Sequence, residues 1–148
     1  MNYADLGYLR VGAASAEVSL ANPAANAASV LDLARHMAAS HVSVGCFPEL
    51  ALSGYSAEDL FFSDALLRDI KPALATLCRD NPLPLLIVGT PWRLVDGRLL
   101  NCAAVISEGR LRGIVPKSAH PNYGEFYDLR WFTPGAAINE VIIDDELG

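Results

Sequence analysis

Two charged residues stand where apolar runs end. Glu49 follows "VSVGCFP" and Lys117 follows "RGIVP". A proline directly precedes each charge, which fixes the exit of the run and aims the next side chain. A carboxylate and an ammonium held this way could keep each other charged in a partly dry site, because an opposite charge nearby favours both ionised forms. The stretch after Lys117 adds His120, Asn122, Tyr123, Glu125, Tyr127, Asp128, Arg130 and Trp131 within a short span. The residues alone leave two arrangements open. Glu49 and Lys117 either meet across the chain or are separate solvated charges at strand ends. The aromatic side chains either face a ligand or pin a long loop.

The elements that must position these groups follow from pattern. Residues 8–15 read as a short strand. Asn22-Pro23 is an N-cap with proline at the first helical position, opening an amphipathic helix over 24–40 with Val30, Leu31, Leu33, Ala34 and Met37 on one face. Residues 41–47 form a second strand, and Ser53-Gly54 marks a turn. Ser63-Asp64 opens another helix with Leu66, Leu67, Ile70, Leu74 and Leu77 on one face, and Pro72 inside it predicts a kink or a restart. The dense apolar run 83–92 is strand-like. Asp96-Gly97 and Glu108-Gly109 are hairpin signals joining it to strands over 98–107 and 110–116. A polar and aromatic loop covers 117–134, and 140–145 starts a last strand. Crossovers followed by hairpins predict a mixed sheet in an α/β (α+β) fold.

Composition narrows the function classes. Hydrophobic residues make up 52% of the 148 and charged residues 19%, so much of the surface of the elements is made to be buried. The net charge is −6 with no Lys/Arg-rich run, which argues against a nucleic-acid partner. No apolar stretch is long enough for a membrane helix, and "MNYADLGYLRVG" lacks the layout of a signal peptide. Cys46, Cys78 and Cys102 have no metal-binding spacing. They read as reduced, small core residues of a cytoplasmic protein. No Walker or dinucleotide glycine spacing is present.

The quoted runs carry a resemblance. "FPELALSGYSAEDLFF" resembles the glutamate motif of the nitrilase-like carbon–nitrogen hydrolases, and "GIVPKSAHPNYGEFYDLRWFTPG" resembles their lysine motif. The continuation Lys-x-x-x-Pro-Asn-Tyr-x-Glu-Phe-Tyr-x-x-Arg-Trp-Phe is more specific. It is similar to the glutaminase domain at the N-terminus of glutamine-dependent NAD+ synthetases, as is the opening "YLRVGAASAEVSLANPAANAASVLDLAR". The resemblance implies a nitrilase-like α-β-β-α sandwich with mixed sheets, of which residues 1–148 would be the N-terminal half. It implies Glu49 as general base, Lys117 as the cation that stabilises the intermediate, Glu125 as a supporting carboxylate, and Tyr123 beside bound glutamine. It further implies that ammonia released from glutamine serves amidation of deamido-NAD+ in a separate synthetase domain using ATP and Mg2+. No cofactor or metal is implied for this part.

The pattern also departs from that family. Its nucleophilic cysteine follows the triad lysine, and none of the residues after Lys117 is a cysteine. The expectation is therefore that these 148 residues alone release no ammonia from glutamine. An uncovered apolar sheet face is expected as well, and with it a homo-oligomer. Three other readings stay open at this point: another nitrilase-superfamily amidase or carbamoylase, a non-catalytic binding module, and an unrelated α/β domain in which Glu49 and Lys117 do not meet.

Overall fold

The computed structural model describes residues 3–138 and Leu147. Five strands form one mixed sheet in the order β1-β2-β3-β4-β5, over Val11–Ala13, Val44–Cys46, Leu85–Arg93, Leu99–Ser107 and Arg110–Pro116. The first three run parallel and the last two return antiparallel. Helices α1 (Pro23–Ala39) and α2 (Asp64–Asp80) supply the parallel crossovers. The mixed sheet is the one the element order predicts. β1 and β2 are shorter than the apolar runs that contain them, because only three residues of each find partners in register. The expected strand over 140–145 lies outside the described residues.

Local chemistry explains the ends of these elements. The Asn22 side chain accepts from the Ala25 N–H at 3.1 Å, and Pro23 occupies the first helical position where its missing donor costs nothing. Glu108 and Gly109 both have positive φ, the conformation of a tight two-residue hairpin turn. Helix α2 runs unbroken through Pro72, contrary to the expected restart. Pro72 is exposed, while Ile70, Ala73, Leu74 and Leu77, on both sides of it, are buried in the cluster that the helices form with the sheet. Proline still removes one helical hydrogen bond there. Pro72→Ala is therefore expected to raise stability by about 2 kcal/mol in urea denaturation.

Both helices cover one face of the sheet. Val30 and Ala34 of α1 and Leu74 and Leu77 of α2 meet Leu86, Val88, Ala104 and Ile106 in a single buried cluster. The alternation of strands sends the intervening residues to the other face. In register, these are Val11, Val44 and Leu85, then Ala13, Cys46, Ile87 and Val105, then Ala103 and Val115. This apolar face is open among the described residues: Val11 is 67% and Val115 59% exposed. Cys46 is a correction to the expected core residue. It is exposed, because its register puts it on this second face rather than under the helices.

Topology fixes where chemistry can gather. β5 returns to the direction of β2 and β3, so the carboxyl ends of β2, β3 and β5 share one rim. The first residues of β4 lie there too. Loops beyond such strand ends are free to vary on a rigid base. The segments bearing Glu49 and Lys117 both begin at this rim.

Candidate active site

The Glu49 segment is built onto β3. Phe47 N–H donates to Ile87 O at 2.9 Å and Leu52 N–H to Gly89 O at 3.1 Å, so residues 47–52 arch over the middle of that strand. Leu50, directly after Glu49, has φ 52°, a left-handed conformation that is strained for a bulky side chain. The turn is held by Ala51 N–H to Pro48 O and Gly54 N–H to Leu50 O. The Leu50 side chain is sealed among Ala57, Phe61, Leu66, Leu99 and Phe132. Packing thus offsets the strain and leaves Glu49 facing outward at the rim.

Lys117 extends β5 by one more pairing. Its N–H donates to Asn101 O at 2.8 Å and its carbonyl accepts from Gly135 N–H at 2.8 Å. From this fixed backbone Lys117 Nζ donates to Glu49 Oε1 at 2.5 Å. The two side chains come from positions 68 apart and are 28% and 38% exposed, so the pair is half-buried. Asn101 Nδ2 donates to the same Glu49 oxygen, and Asn101 itself is buried. One β4 residue therefore contacts both partners, Glu49 through its side chain and Lys117 through its carbonyl.

A second carboxylate lies behind the lysine. Asp128 is buried, and its Oδ2 is 3.7 Å from Lys117 Nζ and 3.8 Å from His120 Nδ1. Its Oδ1 accepts the Tyr55 hydroxyl at 2.9 Å. The Tyr55 phenol is pushed up to about 12, first by burial and then by the bond to Asp128 and the charges of Asp128 and Glu49. It stays a hydrogen-bond donor at any physiological pH. His120 Nε2 lies 3.0 Å from Lys117 O; a carbonyl can only accept, so this nitrogen is assigned the proton.

The two loops are also sewn together at the surface. Arg130 grips both carboxylate oxygens of Asp59, and Trp131 Nε1 donates to Asp59 Oδ1 at 3.0 Å. Phe61 meets Trp131 and Phe132 edge-on beneath them. The hydrogen bonds from Arg130 and then Trp131 lower the Asp59 carboxyl from 3.8 to about 2. A depressed carboxylate stabilises the fold above its unfolded value and ceases to do so as pH falls through the folded one. Asp59→Asn should accordingly be less stable than wild type at pH 6. The gap, read by thermal unfolding, should narrow between pH about 4 and about 2.

The remaining expected site residues, Tyr123 and Glu125, make no hydrogen bond or ion pair with Glu49 or Lys117 among the described residues. Tyr123 is 72% exposed, and Glu125 is exposed with no hydrogen bond or ion pair among the described residues. Glu125 lines a cleft of about 110 Å3 with Tyr55, Ser56, Glu58, Phe126, Tyr127, Asp128 and Trp131. Asn101, Tyr55 and Gly89 were not singled out from the sequence, and Asp128 stood there only as one polar residue in a loop. A lone amide in the apolar run of β4 and a glycine inside β3 were the available signals for Asn101 and Gly89. Among the thiols, burial raises Cys78 and pushes Cys102 up to about 12. No thiol among the described residues bonds Glu49 or Lys117; Cys46 Sγ reaches only Phe47 O.

Comparison with known proteins gives this geometry a family. No protein-family model matches the chain. The glutamine-dependent NAD(+) synthetase of Mycobacterium tuberculosis is 45% identical over 131 residues, 87% of this chain and 19% of that protein. The crystal structure of a glutamine-dependent NAD(+) synthetase from Cytophaga hutchinsonii superposes with a TM-score of 0.79 at 27% identity, over 85% of this chain and 22% of that one. A nitrilase-superfamily amidase from Nesterenkonia shares the fold with a TM-score of 0.70 at 18% identity, over 85% of this chain and 48% of that one. The chain spans about a fifth of the length of the curated relatives it matches. It is a homologue of the N-terminal, nitrilase-like domain of the glutamine-dependent NAD(+) synthetases.

Proposed function

We propose that residues 1–148 form the N-terminal part of a carbon–nitrogen hydrolase domain and supply the Glu–Lys half of a site that hydrolyses the side-chain amide of glutamine. The observation that carries this reading is the 2.5 Å contact between Lys117 Nζ and Glu49 Oε1 at the rim of the sheet. An amide carbonyl is unreactive, so the reaction needs a thiolate to attack it. Glu49 takes the proton of that thiol and later delivers one to the departing ammonia. Lys117 faces the negative oxygen of the tetrahedral intermediate, where a fixed cation in a water-poor site is worth a few kcal/mol. Asn101 holds Glu49 in line for both tasks. Tyr123 is assigned to the bound glutamine and Glu125 to support of the pair. None of Cys46, Cys78 and Cys102 is suited to the attack, so the reading assigns it to a cysteine beyond these three.

In this reading the ammonia is consumed in NAD+ synthesis, in the cytoplasm, with ATP and Mg2+ acting in a separate synthetase domain. Identity of 45% to a protein named for glutamine dependence favours it over a general amidase. The test is a chimera in which the aligned part of this chain replaces its counterpart, 131 residues in alignment, in the Mycobacterium tuberculosis synthetase. Ammonia release from glutamine by the chimera is the expected result; a folded but inert chimera contradicts the reading.

The open sheet face carries a second part of the proposal, self-association of the chain. Contiguous apolar faces are seldom left to solvent. Sedimentation of the purified chain should show dimers or larger species, with Val11→Lys and Val115→Lys together shifting it to monomer. A wild-type chain that stays monomeric at high concentration contradicts this part.

A further inference from the structure

We propose that Asp128 is the second counterion of Lys117, a positioning residue that keeps the ammonium charged and in place while Glu49 is protonated. The inference rests on the amidase reading of the site. In that reaction the S–H proton moves to the Glu49 carboxylate, and the electron pair left on sulfur forms the bond to the amide carbon. The carbonyl π pair moves onto oxygen. At that moment Glu49 is neutral, and its attraction for Lys117 is gone. An ammonium without a fixed anion beside it can swing away or surrender its proton to the sulfur or oxygen it is meant to face.

Asp128 is placed to prevent both. Its Oδ2 lies 3.7 Å from Lys117 Nζ, and its side chain is only 3% exposed, so water does little to weaken the attraction. Among the described residues Oδ2 has no hydrogen bond of its own, whereas Oδ1 is occupied by the Tyr55 hydroxyl. The backbone is pinned as well: Asp128 N–H donates to Pro121 O, and Asp128 O accepts from Trp131 and Phe132 N–H. A buried carboxylate held this firmly costs free energy unless a cation repays it, and Lys117 supplies a permanent one at 3.7 Å, whereas the buried His120 ring at 3.8 Å is a cation only when protonated. Glu125, the carboxylate that the resemblance assigns to support, is exposed and makes no such contact among the described residues.

The chain has two lysines, Lys71 and Lys117, so Lys71 serves as an internal reference. Only a neutral amine is reductively methylated, and the Lys117 to Lys71 rate ratio is read by peptide mass spectrometry. Glu49→Gln reproduces the uncharged glutamic acid. The ratio should change less than about threefold in Glu49→Gln or Asp128→Asn alone, and rise about tenfold or more in the double variant. Asp128→Asn keeps an acceptor for Tyr55, and thermal unfolding checks that each variant is folded. A double variant no faster than Glu49→Gln overturns the proposal. So does an equal rise when Tyr55→Phe replaces Asp128→Asn in the pair, since that would make Asp128 a loop anchor only. Should the double variant fail to fold, Glu49→Gln alone decides: a tenfold rise there means that nothing else holds the ammonium. None of these rates depends on ammonia release, so an inert chimera would sink the functional reading without deciding this one.

Discussion

Replacing Gly89 by valine should dismantle the Glu49 segment, lowering stability by about 3 kcal/mol or more in urea denaturation. A Cβ at Gly89 would sit 2.3 Å from Pro48 O, 2.4 Å from Leu50 N and 2.7 Å from Glu49 C. All three are backbone atoms, so no side-chain rotation can relieve the contact. The arch of residues 47–52 has to lift off β3, breaking the Leu52 N–H to Gly89 O bond and carrying Glu49 away from Lys117. Glycine ordinarily weakens a strand; here it is the floor on which another backbone rests. Gly113 of β5 is the matching control. Among the described residues nothing lies within 4 Å of a Cβ there, so Gly113→Val should leave stability unchanged or slightly higher. If Gly89→Val is tolerated as well as Gly113→Val, the close approach of Glu49 to the sheet is wrong.

The largest functional effect belongs to Glu49. In the chimera, Glu49→Gln should cut ammonia release from glutamine about a thousandfold, the usual cost of losing a positioned general base. The amide keeps the size of the side chain and an oxygen toward Asn101, so the loss reports the missing proton acceptor rather than a collapsed site. Lys117→Met should cost about a hundredfold to a thousandfold, as expected for one donor to a developing oxyanion. Methionine retains most of the apolar stem of lysine. Glutamine affinity should change less than turnover in both variants, since neither group is assigned to hold the amino-acid end.

Particular residues show which parts of this architecture the sequence made legible. Helix α1 was readable because its start is encoded locally, in Asn22-Pro23 and a regular apolar face. The two hairpins were readable for the same reason, through Asp96-Gly97 and Glu108-Gly109. The rim position of Glu49 and Lys117 could be inferred because a strand, a proline and a charge follow one another within a few residues. Pro72 was read as a kink or a restart; no restart occurs, because packing against the sheet outweighs one lost hydrogen bond. Cys46 was misread because nothing local says which face of a strand is covered. Asp128 and Tyr55 join across 73 positions, and Asn101 and Glu49 across 52. Contacts of that range are set by topology, and no short pattern announces them.

The central claim is that Glu49 and Lys117 act as one unit on the amide, not as two independent charges at a rim. Groups that serve a single step lose most of their joint effect when either is removed. A double-mutant cycle of Glu49→Gln and Lys117→Met on ammonia release by the chimera tests this directly. The account predicts that the double variant is scarcely slower than Glu49→Gln alone. Losses that multiply in full, or single variants as active as the parent chimera, would contradict it.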